Sequence, residues 1–134
     1  MPKKIIKSSK TPITGFTDKS SPSPLAQGIR WGNMLFLSGQ VAIDPETKEV
    51  ISDDIQAQTQ KTLRNLEEIL KEAGGSFANV VNMRVCLRDV DDFQKFNITF
   101  TQFMKGEKVT RTCIGGIPHR AGVKVEIDCI AMFD

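Results

Sequence analysis

In VTRTCIGG, residues 109–116, Arg111 interrupts a run of small and β-branched residues that otherwise suits a strand. Arginine is rarely buried without a partner, because deprotonation cannot remove its charge. A candidate partner lies in VKVEIDCIAMF, residues 123–133, where Glu126 sits on a second strand-like run close in sequence. From the residues alone, a cross-strand salt bridge between Arg111 and Glu126 is the favoured reading. The functional alternative has the planar fork of Arg111 gripping a carboxylate or phosphate, with Glu126 placing a water or passing a proton. Cys113 shares a strand face with Arg111 in a regular strand, and a nearby guanidinium favours a thiolate. No histidine adjoins it in sequence, so a packed thiol lining a pocket is preferred over a nucleophile. His119, in IPHRAG, reads as a surface-loop residue, and Ser38, in LFLSGQ, as a polar pocket wall lacking the G-x-S-x-G frame. Gly115 and Gly116 are too short a pair for a phosphate loop.

These residues need elements to hold them. Residues 2–8 read as a short edge strand, and residues 11–28, rich in Pro, Ser, Thr and Gly, as an irregular connection. IRWGNMLFLSGQVAI has a hairpin signal at Gly32-Asn33, and DPETKE, residues 44–49, marks a further turn. A helix is expected over residues 53–73, capped by Asp53 with Gln56 in a capping-box arrangement. Ile55, Leu63, Leu66 and Leu70 form its apolar stripe, and Gly74-Gly75 ends it. In VVNMRVCLRDV, the alternation sets Val81, Met83, Val85 and Leu87 on one face and Asn82, Arg84, Cys86 and Arg88 on the other. A second helix over residues 91–104 carries Phe93, Phe96, Phe100 and Phe103 along one stripe, read as a core seam rather than a ligand box. The order implies an α+β fold, a mixed sheet with both helices on one face. The opposite face then mixes charge with Ile130 and Met132, a composition typical of an oligomer interface.

Composition narrows the function classes. The chain has 134 residues and reads as one domain spanning 1–134. Of its 18 basic residues, Lys3, Lys4, Lys7 and Lys10 fall in the first ten; against 16 acidic residues, the rest carries −2. That is a poor footprint for nucleic acid, which is not expected as a partner. No apolar run reaches membrane-spanning length. Three cysteines, Cys86, Cys113 and Cys129, fit neither a zinc pattern nor a disulfide framework, and there is a single histidine. No metal or cofactor is expected, and free thiols point to the cytoplasm, with an organelle matrix left open.

Together, in order, SPLAQGIRWGNMLFLSGQ, DIQAQTQKTLRNLEEILKEAGG, VCLRDVDDFQKFN, TRTC and VEIDCIAM resemble the RidA (YjgF) family, from residue 23 to residue 132. The resemblance implies a chorismate-mutase-like fold and a homotrimer with three sites between subunits. It implies hydrolysis of 2-imino acids, such as 2-iminopropanoate and its tautomer 2-aminoacrylate, to 2-keto acids and ammonia. By motif, Arg111 resembles the carboxylate clamp, Glu126 the acid that holds the attacking water, and Cys113, Ser38 and Asn97 further pocket residues. Many imine deaminases of the family carry tyrosine where PLAQG here has Leu25, so the pocket wall lacks a ring and a hydroxyl. The rival expectations are an endoribonuclease or translation inhibitor, and a non-enzymatic binding or chaperone-like protein using the same cleft.

Overall fold

The computed structural model describes residues 3–12 and 23–134. Most of the irregular connection expected over residues 11–28 lies outside them. Six strands form one sheet in the order β1-β2-β3-β6-β4-β5, with β1 at Lys4–Ile6, β2 at Gly28–Trp31, β3 at Met34–Gln40, β4 at Val80–Leu87, β5 at Thr110–Gly115 and β6 at Val125–Met132. The expected edge strand is β1. The hairpin joins Trp31 to Met34 through Gly32, whose φ of 58° is one that glycine adopts without strain. Every neighbouring pair is antiparallel except β4–β5. Parallel neighbours need a crossover, and helix α2, Phe93–Met104, supplies it between them.

Helix α1, Ile55–Glu72, links β3 to β4, and the two helices pack on one face of the sheet. Leu63, Leu66, Ile69 and Leu70 are fully buried against Leu35, Met83, Val85 and Ile127. Each such side chain contributes about 1.5–3 kcal/mol by leaving water. The cap differs from the expectation. Asp54, not Asp53, holds the extended conformation that precedes the helix, and its Oδ2 accepts from the Ala57 amide at 2.8 Å. Either acid suits the position by type; where the chain turns in decides between them.

The β4 alternation also needs one correction. Met83, Val85 and Leu87 are buried as expected, but Val81 is exposed and Val80 takes the inward place. The β4–β6 register shifts between Val80 and Asn82, so Val81 is the extra residue of a bulge. In α2, Phe96 and Phe100 are buried whereas Phe93 lies at the surface, so the phenylalanine seam is core for most of its length.

Candidate functional site

β4 separates Arg111 from Glu126. Arg111 on β5 pairs with Met83 of β4, and Glu126 on β6 pairs with Cys86 of β4. Met83 and Cys86 are three residues apart, an odd step, so the two side chains leave opposite faces of the sheet. Two strand spacings across and three residues along place them about 10 Å apart in each direction. The favoured salt bridge is therefore absent. A short connection in sequence does not make two strands neighbours when a third lies between them.

What holds Arg111 is neutral. Its Nη1 donates to Asn97 Oδ1 of α2 at 2.8 Å. Its guanidinium lies 4.8 Å from the centre of the Phe100 ring, 5.5 Å from Phe96 and 5.6 Å from Phe93. Aromatic faces attract a cation without neutralising it. Among the described residues, no carboxylate comes within 4.0 Å of its nitrogens. A shallow cleft lies alongside, lined by Arg111, Val109, Lys108, Phe100 and Met104. Cys113 lies on the same strand face and packs against the core. Burial pushes its thiol up more than the Arg111 charge pulls it down, in keeping with the preferred packed thiol rather than a nucleophile.

A second group gathers on the open face. The β3–β6 register sets Ser38 and Gly39 opposite the single Asp128, a bulge in β3. At Gly39, a Cβ would lie 3.2 Å from the carboxyl carbon of Glu126, so a side chain there would press on that carboxylate. Ser38 Oγ donates to the Ala26 carbonyl at 2.6 Å, tying the bulge to the segment that carries the exposed Leu25. Cys86 sits beside Glu126 in register, and burial, then the Glu126 charge, pushes its thiol up.

His119 joins this second group, which sequence reasoning missed. Its ring is 65% exposed, as a surface residue should be, yet its Nδ1 is 3.7 Å from Glu126 Oε1. The loop over residues 116–124 must cross the end of β4, and that crossing brings His119 over β6. Its course is pinned elsewhere: Arg88 Nε donates to the Val123 carbonyl at 2.9 Å, and Arg120 Nη2 to the Lys48 carbonyl at 2.8 Å. The buried Gln58 donates to the Gly122 carbonyl and accepts from the Lys124 amide, both at 2.8 Å.

Within one chain, then, Arg111, Asn97 and Cys113 form an anion-ready half-site on the helix side. Glu126, Ser38, Gly39 and His119 form an acid-bearing half on the open side, with Leu25 nearby. Among the described residues there is no cluster suited to a metal ion, and no helix is long and apolar enough to cross a membrane.

Residues 18–133 match the family model described as Endoribonuclease L-PSP. A RutC family protein of Pyrococcus abyssi is 36% identical over 118 residues, covering 87% of this chain and 93% of that protein. The chloroplastic Reactive Intermediate Deaminase A of Arabidopsis thaliana is 34% identical over 110 residues, 81% of this chain and 58% of that longer protein. Among solved structures, TdcF of E. coli, with bound serine, superposes with a TM-score of 0.86 at 31% identity, covering 98% of this chain and 99% of that one. The ordered motifs, the six-stranded sheet with its two helices and a family match over nearly the whole chain agree: the protein belongs to the RidA/YjgF family, the family of Endoribonuclease L-PSP.

Proposed function

We propose that the protein hydrolyses small 2-imino acids to 2-keto acids and ammonia, using Arg111 to clamp the carboxylate and Glu126 to hold the water. The observation that carries this reading is a guanidinium supported by one amide oxygen and three rings, with no carboxylate beside it among the described residues. Its remaining N–H donors suit a planar anion, and a charge-assisted contact of this kind contributes about 1.5–3 kcal/mol. A relative named Reactive Intermediate Deaminase A supports the same chemistry.

In the proposed reaction, water adds through oxygen to the imine carbon while Glu126 takes its proton and returns it to the nitrogen. The resulting carbinolamine transfers its hydroxyl proton to nitrogen, the C–N bond breaks, and ammonia leaves a keto acid behind. Imine hydrolysis is intrinsically facile, so positioning and one carboxylate base suffice without metal or cofactor.

One chain cannot bring both halves to one small substrate, because Arg111 and Glu126 lie on opposite faces of the sheet. The proposal therefore includes a homotrimer in which the Arg111 half of one subunit meets the Glu126 half of the next; the family resemblance supplies the number three. The open face suits such contacts, with Ile5, Trp31 and Phe36 each more than 40% exposed. The test is ammonia release from 2-iminopropanoate generated in situ. Saturable pyruvate binding without turnover would replace the enzyme with a binding protein. RNA cleavage that survives Arg111→Ala would favour the endoribonuclease of the family's description instead.

A further inference from the structure

We propose that His119 is a positioning residue for Glu126, holding in place the carboxylate that manages water in the reaction proposed above. The proposal rests on that deaminase reading and adds a residue to it. His119 Nδ1 stands 3.7 Å from Glu126 Oε1, outside hydrogen-bond range and within charge-pair range. Nothing else in the loop requires the imidazole. The backbone there is fixed by Arg88, Arg120 and Gln58 through carbonyl and amide contacts that leave the His119 side chain free to act. Pro118, its neighbour, is buried and anchors the turn, whereas the ring itself is mostly in solvent.

Among the described residues, His119 is the one basic side chain within 4.0 Å of the Glu126 carboxylate. From β3, Gly39 approaches it and carries no charge. From β4, Cys86 faces Glu126 as a thiol whose ionisation is opposed by burial and by Glu126 itself. On β6, Asp128 shares the Glu126 face and is held by Arg84 at 2.9 Å; Lys124, just before the strand, has its backbone amide bonded to Gln58. Arg120, next in the loop, is directed to the Lys48 carbonyl and to Glu49. Facing the carboxylate at 3.7 Å, His119 holds Glu126 in one orientation, while that carboxylate alone takes the proton from water and returns it.

In the whole protein, turnover of 2-iminopropanoate is measured in His119→Gln, Glu126→Gln and the double variant. His119→Gln should lower kcat about tenfold with KM within about twofold, because Arg111 still binds the carboxylate. The double variant should be no slower than Glu126→Gln alone, since His119 acts only through that carboxylate. His119→Lys should restore part of the rate by returning a basic side chain to face Glu126. An unchanged kcat in His119→Gln, or a double variant clearly slower than Glu126→Gln alone, overturns the assignment of His119. Absence of turnover in the unaltered chain overturns the deaminase reading itself, and the role of His119 with it.

Discussion

Arg111 sits in an unusual balance: near three phenylalanines, bonded to one amide and, among the described residues, without an acid beside it. Such a site is inexpensive to vacate. Arg111→Ala removes a cation–π contact worth about 1 kcal/mol but also relieves a half-buried uncompensated charge, so stability should change by no more than about 1 kcal/mol. Pyruvate binding and imine turnover should be lost together. Arg111→Lys should recover little of either, since an ammonium cannot form a planar two-bond clamp. Isothermal titration and thermal melts on the same two variants check both halves. Cys129 carries a different expectation. Burial, then the Asp128 charge, pushes its thiol up to about 12 from 9.0. The folded state thus keeps a proton that the unfolded chain releases, and stability is full below about pH 9 and falls as pH rises from there toward 12. The slope from one such group reaches about 1.4 kcal/mol per pH unit. Urea unfolding at about pH 8 and about pH 10.5 should show a smaller alkaline loss in Cys129→Ala than in the unaltered chain.

The elements act by placing these residues rather than by supplying chemistry of their own. Helix α2 serves twice: its buried Phe96 and Phe100 close the core, and the same stripe lies beneath Arg111. The choice between core seam and ligand box was therefore less exclusive than the spacing suggests. α1 depends on its entry. Since Oδ2 of Asp54 takes up the Ala57 amide, Asp54→Ala should cost about 1 kcal/mol in denaturant unfolding, and Asp53→Ala less than about 0.5 kcal/mol. Equal costs would mean that the two acids share the cap. Gln58, buried in the same helix, reaches the loop over residues 116–124 and so couples α1 to the position of His119.

At the scale of the molecule, the open sheet face divides in two. Around β1, β2 and β3 it carries Ile5, Trp31, Met34 and Phe36; across β4 and β6 it carries Arg84, Asp128 and Glu126. An apolar half beside a charged half gives both adhesion and register to a copy docking on it. Sedimentation should therefore give three times the 14.9 kDa chain mass. Phe36 is 44% exposed in the single chain, so Phe36→Asp should spare the fold while dissociating the trimer and abolishing turnover. A dissociated variant that still turns over imine would refute the shared site, because a single chain would then suffice.

The sequence by itself determined the elements and much of their burial. Period-two alternation in residues 80–87 and 125–132 and the apolar stripe of α1 are local consequences of strand and helix geometry, and they carry the α+β fold directly. The ordered motifs sufficed to indicate the family and pointed to Arg111, Asn97, Ser38 and Glu126. The tertiary structure alone decided strand order, and with it everything that depends on who sits beside whom. Inserting β4 between β5 and β6 removed the Arg111–Glu126 bridge, set the two candidate groups on opposite faces and carried His119 across to Glu126. The bulge at Val81 and the choice of Asp54 over Asp53 belong to the same class. Periodicity records which face a residue takes within its own element; pairing between elements is set by the packing of the whole chain, where many orders satisfy the same local pattern.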